Sequence, residues 1–115
     1  MTLSAQDILN CQDSGIESVS VPEWGGDVHI RTMTGVERDN WEVYASSQFE
    51  KKGSVNIRAK LAVLTLCDTS GNRLFKDSDL DQLSGKNSKA LDRVYSAALK
   101  LNKLTDDDIE DLEKN

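Results

Sequence analysis

Two short segments in the first third of the chain alternate between apolar and polar residues, as half-buried strands do. They are joined by residues 22–27, PEWGGD, in which two glycines can adopt positive φ at little cost. We therefore predict a β-hairpin with a Gly-Gly turn, and Pro22 at the end of the first strand is typical of an edge strand. The strands are residues 18–21 and 28–32, and their apolar faces carry Val19, Val21, Val28 and Ile30.

A helix follows the hairpin and begins with a capping box, Thr34 with Glu37, in which each side chain satisfies a free backbone N–H. Helical spacing continues from Val36 to about Phe49, and the sequence KKG at residues 51–53 predicts the end of this helix. The stripe predicted to face the core consists of Trp41, Tyr44, Ala45 and Gln48.

Residues 56–67 are the most apolar segment of the chain and are apolar on nearly every side, which predicts a central, buried helix. A buried strand over Ala62–Leu66 is the alternative. The helix is favoured because the run is twelve residues long and contains Arg, Lys and two Ala.

The second half of the chain has turn residues at 68–72 and helix-capping residues at 77–79 and 87–88. These predict a two-turn helix that ends at Gly85 and a longer helix that ends near Asn102. The residues predicted to face inward are Leu80 and Leu83 in the first helix and Leu91, Val94, Tyr95, Ala98, Leu99 and Leu101 in the second.

At the N-terminus, residues 1–17 form either a short helix or a loose arm, because Ser4 is a capping hydroxyl ahead of Ile8 and Leu9. All segments together predict an α+β fold, mostly α-helical. A small N-terminal β-hairpin is followed by about four to five helices, packed in a single domain over residues 1–115. With 37% apolar and 5% aromatic residues the core is small, so part of the stability is expected from self-association.

The formal charge of −6 is concentrated at the C-terminus. Residues 105–115 hold six acidic residues and one Lys, a net charge of −5, which leaves −1 for the other 104 residues. Thr105 caps a predicted last helix in which Ile109 and Leu112 form a thin apolar seam. This acidic C-terminal helix or tail either docks on a partner or ends as a solvated, frayed terminus.

Composition argues against several classes of protein. Lys and Arg are scattered, so nucleic-acid binding is not expected. The longest apolar run, Leu61–Leu64, is far shorter than the roughly 20 residues that span a bilayer, and the N-terminus lacks the features of a signal peptide. We therefore expect no membrane association, and we expect Cys11 and Cys67 to be reduced thiols, although a disulfide between them is possible in principle.

No pattern of catalytic or metal-ligating residues stands out. His29, the single histidine, is expected to be a half-exposed strand residue. Residues 68–72 superficially resemble a calcium loop, but the Gly and the final acidic residue do not match that motif, which favours a simple turn. We therefore expect neither an enzyme nor a cofactor or metal site.

Binding to a partner is the remaining class of function, and Trp24 is the first candidate contact. With Gly25 and Gly26 it lies at the tip of the predicted hairpin, where an exposed Trp would anchor a partner. The alternative is that Trp24 folds back over the small core.

The order of motifs along the chain resembles the tail assembly chaperones of long, non-contractile-tailed, lambda-like siphoviruses and their prophages. The resemblance runs from about Ser18 to the end of the chain. Its segments are VPEWGGDV at 21–28, RTMTGVERDNWE at 31–42, LTLCDTSGNRLF at 64–75, DSDL at 77–80, ALKLN at 98–102 and LTDDDIEDLEKN at 104–115.

The resemblance implies a protein that acts in the host cytoplasm and is absent from the finished virion. It implies two partners, the tape measure protein, which the chaperone coats, and the tail tube (major tail) protein, which it recruits. It also implies a gene read in two overlapping frames. Glu113-Lys114-Asn115 fits this, since the codons GAA AAA AAC would contain a slippery heptamer. The alternative function is a minor structural tail protein or a head–tail connector.

Overall fold

The computed structural model describes residues 1–50 and 56–104 and, within them, the side chains outside residues 48–50. Five α-helices and a three-stranded antiparallel sheet lie within these residues, which confirms the predicted α+β, mostly helical fold. In chain order the elements are α1 (Ala5–Asn10), β1 (Ile16–Val21), β2 (Gly26–Arg31), α2 (Gly35–Glu50), α3 (Ile57–Thr65), β3 (Leu66–Cys67), α4 (Leu80–Ser84) and α5 (Ser88–Leu101).

The hairpin of β1 and β2 lies where the sequence predicts it, and Val19 is paired with Val28 across the two strands. The turn differs from the predicted Gly-Gly turn. Residues 22–24 form one 3₁₀ turn, Gly25 follows with φ +78°, and Gly26 already pairs with Val21 as the first residue of β2. Only one glycine of the pair therefore uses the left-handed conformation that glycine favours.

The predicted helix over residues 56–67 is two residues too long. The α-helix ends at Thr65, and Leu66 and Cys67 form β3, which pairs with Ile30 and His29 of β2. The open edge of β2 satisfies the backbone of these two residues, a long-range pairing that helical spacing cannot reveal. The alternative of a buried strand over Ala62–Leu66 is correct only at Leu66.

Helix α3 is the centre of the core, as its apolar circumference predicts. Seven of its nine residues are buried. It packs against α5, α4 and α2, while the apolar face of the hairpin packs against α5. The largest fully buried side chains of the core are Trp41, Ile30, Leu61, Leu66, Val21, Val63 and Val94.

Side-chain caps begin three of the helices at positions that the sequence predicts. Thr34 and Glu37 form the capping box of α2, Asn87 accepts hydrogen bonds from the first turn of α5, and Ser4 caps α1. Helix α1 has no buried residue. The predicted N-terminal arm covers residues 1–17, but Ile16 and Glu17 already belong to β1. An arm that is free of the hairpin would therefore end before Ile16.

Two predicted features lie outside the described residues. They are the end of α2 at the sequence KKG, residues 51–53, and the last helix, which is predicted to begin at Thr105. The last described residue, Leu104, is buried with 7% of its surface exposed. Among the described residues, no helix combines the length and hydrophobicity needed to cross a membrane.

Candidate partner-binding surfaces

The hairpin tip is fixed to the body of the protein by a two-pronged ion pair. Arg93 of α5 donates from Nε to Glu23 Oε1 at 2.8 Å and from Nη2 to Oε2 at 3.1 Å. These hydrogen bonds lower the pKa of Glu23. Paired N–H donors in one plane specify direction as well as distance, so they orient the turn that carries Trp24.

Trp24 is half-buried and packs against the core, so it is neither a free anchor nor a fully buried residue. Its ring lines an apolar cavity of about 210 Å³ together with Phe75, Leu83 and Lys86. We call this cavity the Trp24 groove. Leu83 forms a buried wall, Phe75 is half-buried, and Lys86 is exposed. The structure thus joins Trp24 to residues of a distant segment that sequence reasoning did not connect with it.

The two glycines after Trp24 have different roles. Gly25 has φ +78°, a conformation that side chains with a Cβ rarely adopt, whereas Gly26 is ordinary strand backbone. No atom lies within 4 Å of a Cβ built on either residue. Gly25 is therefore required by the turn, and neither glycine is required by a close neighbour.

Helix α2 carries a second apolar surface that the sequence reasoning missed. Val36 and Val43 are 70% and 71% exposed, and they lie two turns apart on the face opposite the buried Ala45. An ion pair between Arg38 and Glu42 lies on the same helix, with Nε and Oε1 3.0 Å apart. We call Val36 and Val43 the α2 stripe. Their spacing of seven residues was visible in the sequence, but only the tertiary structure shows which side of α2 faces the core.

Helix α1 and the residues before it leave further apolar side chains uncovered. Leu3, Ile8 and Leu9 are 55%, 58% and 78% exposed. The other candidate contacts from the sequence, Ile109 and Leu112, lie outside the described residues, as do the frameshift-site residues Glu113, Lys114 and Asn115.

An ion pair between Arg31 at the end of β2 and Glu37 in the capping box joins the sheet to the first turn of α2. Their side chains are 13% and 16% exposed, and Arg31 also donates to the carbonyl of Leu64 at 3.1 Å. Burial opposes the charge of Glu37, but the hydrogen bonds from Arg31 and from the backbone of Thr34, with the charge of Arg31, outweigh it. The pKa of Glu37 therefore lies below its ordinary value.

His29 and Asp68, the candidates for chemistry in the sequence, lie in a strand and in a turn. His29 is a half-buried strand residue, as predicted. Asp68 Oδ1 accepts hydrogen bonds from the backbone N–H groups of Ser70 and Asn72, with N···O distances of 2.8 and 3.0 Å. The carboxylate therefore stabilises the turn at residues 68–72. Within residues 1–50 and 56–104, no group of three or more His, Cys, Asp or Glu is placed to hold a metal ion.

Comparison with known proteins identifies the family. A family model for the phage tail assembly chaperone matches residues 4–115. The chain belongs to the phage tail assembly chaperone family. The solved structure of the bacteriophage HK97 tail assembly chaperone is similar, with a TM-score of 0.63 over 84% of this chain and 94% of that chain. At 22% sequence identity this likeness shows a shared fold. No curated protein sequence matches significantly.

The family assignment confirms the resemblance seen in the sequence. Membership of the tail assembly chaperone family implies a role during assembly and interaction with tail proteins. Three groups of apolar residues that remain accessible after folding are candidates for such interactions: the α2 stripe, the Trp24 groove and the apolar residues of the N-terminal segment.

Proposed function

We propose that this chaperone coats the tape measure protein and recruits tail tube (major tail) subunits to it, in a non-enzymatic role in the host cytoplasm. The observation that carries the proposal is the family match over residues 4–115. The experiment that tests it is co-expression with the tape measure protein of the same phage. We expect the tape measure protein to be more soluble in the presence of the chaperone and to co-purify with it.

The α2 stripe supports this proposal because the spacing and exposure of its two valines suit a helical client. Two apolar side chains seven residues apart on one helix face can pack along a second helix with a matching apolar seam. One such contact between a chaperone molecule and the client is weak. When many associated chaperone molecules bind along one long client, the overall affinity for the client rises without any new kind of contact. Self-association of the copies is therefore part of the proposal.

A charge placed in the α2 stripe tests its role directly. We expect Val43→Asp to weaken binding to the tape measure protein roughly tenfold or more, because it puts a carboxylate into an apolar contact. The fold should survive, since Val43 is 71% exposed. Co-purification of the tape measure protein and the circular dichroism spectrum of the variant measure the two effects.

Ser96→Asp is the matched control, because it adds the same charge at an exposed position of a different helix, α5. We expect this variant to bind the tape measure protein like the wild type. Equal losses of binding in the two variants would show that net charge matters and that the α2 stripe does not.

The finished virion distinguishes the proposed role from that of a minor structural tail protein or a head–tail connector. An assembly factor that leaves the particle is expected to be missing from purified virions. Mass spectrometry of purified particles makes the measurement. Stoichiometric amounts of this chain in the particle would favour the structural alternative.

We also propose that this chain is the short product of a frameshifted gene pair. The residues Glu113, Lys114 and Asn115 permit the heptamer A AAA AAC, and we expect the gene to read GAA AAA AAC, followed by an overlapping frame. The nucleotide sequence checks this. A codon GAG at position 113 or AAG at position 114 would exclude this heptamer.

A further inference from the structure

The Trp24 groove combines an apolar floor with positive charge at its rim. Lys86 lines the groove, and Lys89 lies close enough to Glu23 to lower its pKa. Neither lysine takes part in an ion pair with a residue in the described part of the chain. The nearby carboxylate of Glu23 is neutralised by Arg93. An occupant that suits this groove is therefore an apolar segment with negative charge on both sides.

The C-terminal residues 105–115 have this composition. Ile109 and Leu112 are three residues apart, a spacing that would place them on one face of a helix, and the same eleven residues carry a net charge of −5. No stretch of eleven residues within residues 1–104 has a net charge below −3, so no other part of the chain is comparably acidic. Charge and apolar spacing thus both match the Trp24 groove.

The length of this segment decides whose groove it can reach. Helix α5 separates the groove from Leu104, since Lys86 comes just before the helix and Leu104 just after it. Its 14 residues span about 21 Å. A helical segment over residues 105–112 spans only about 12 Å. A helical C-terminus therefore falls short of the groove of its own chain but can enter that of a second copy.

We propose that the acidic C-terminal segment of one copy docks in the Trp24 groove of a second copy, with Ile109 and Leu112 against Trp24 and Phe75. Lys86 and Lys89 then face the carboxylates of the incoming segment. The inference rests on the proposed self-association and names the contact that would carry it.

Two full-length variants test this contact from its two sides. Lys86→Glu/Lys89→Glu reverses the charge at the rim, and Ile109→Asp places a charge in the apolar seam. We expect each to weaken self-association at least tenfold in sedimentation velocity at low salt. The control Lys100→Glu/Lys103→Glu makes the same change in net charge at exposed positions near the other end of α5, and it should associate like the wild type.

Mixing the two variants is the decisive measurement. The Ile109→Asp chain keeps an intact groove, and the chain with reversed lysines keeps an intact C-terminal segment, so one productive contact remains between them. We expect the mixture to form heterodimers while each variant alone stays monomeric. No heterodimer in the mixture, or unchanged association of either variant, would overturn the proposal.

Client binding separates the failure of this contact from the failure of the proposed function. If the contact is wrong but the chaperone role is right, the wild type still co-purifies with the tape measure protein. A wild type that remains monomeric at every concentration would overturn the contact between C-terminus and groove, whatever its effect on the client.

Discussion

Replacing Trp41 by Ala should be among the most destabilising single substitutions in this protein. Trp41 is fully buried in the core. Deletion of a buried Trp side chain costs about 3–5 kcal/mol, whereas a domain of this size has about 5–15 kcal/mol of total stability. We therefore expect urea unfolding, followed by circular dichroism, to show a far lower midpoint or a chain that is unfolded at the outset.

Trp41→Phe is the matched control, and its expected effect is small. The indole Nε1 of Trp41 has no hydrogen-bond partner among the described residues. A buried donor without a partner costs about 1–3 kcal/mol, and Phe removes it at the expense of a small cavity. The two effects should cancel to within about 1 kcal/mol. Destabilisation by Phe as large as that by Ala would contradict this expectation.

Glu37→Gln should give the second large effect, because it removes the charge from the largely buried pair with Arg31 while keeping the size of the side chain. Loss of one partner leaves Arg31 with an uncompensated charge near the carbonyl of Leu64. We expect a loss of about 2 kcal/mol at neutral pH. Glu42→Gln is the control, since its exposed pair with Arg38 should contribute less than about 0.5 kcal/mol.

The effect of Glu37 should depend on pH in one direction. Its folded-state pKa lies below the ordinary value of 4.5, so the charged form stabilises the fold above that pH. The contribution is lost as the pH falls through the folded-state pKa. The difference in unfolding free energy between wild type and Glu37→Gln should therefore be constant near neutrality and shrink as the pH falls below 4.5 and through the folded-state pKa. If the free-energy difference between wild type and Glu37→Gln does not change with pH, the loss of stability is due to packing and not to the charge of Glu37.

The family can be recognised from the order of short motifs, but the binding surfaces cannot. Trp24 stands out in the sequence as a candidate contact, yet its partners in the groove, Phe75 and Leu83, lie more than fifty residues away. The α2 stripe is not evident from the sequence because Val36 and Val43 resemble core residues until the position of the helix against α3 is known. The acidic C-terminus, in contrast, is evident from composition alone.

The sequence by itself determines the features that depend on neighbours within a few residues. The capping box of Thr34 and Glu37 and the cap at Asn87 are such features, because each is completed by backbone groups no more than three residues away. The alternation of Val19 and Val21 likewise predicts a strand with one buried face, and the structure confirms it, since these two valines are half-buried and buried while Ser18 and Ser20 are exposed.

Only the tertiary structure decides the features that depend on distant segments. Leu66 and Cys67 leave the helical conformation because β2 offers backbone partners. Trp24 is half-buried because it packs against a core built from distant segments of the chain. Local patterns carry no information about such partners, since the energy of a long-range contact depends on which surfaces the folded chain brings together. The same reason makes the Trp24 groove visible only in the folded protein.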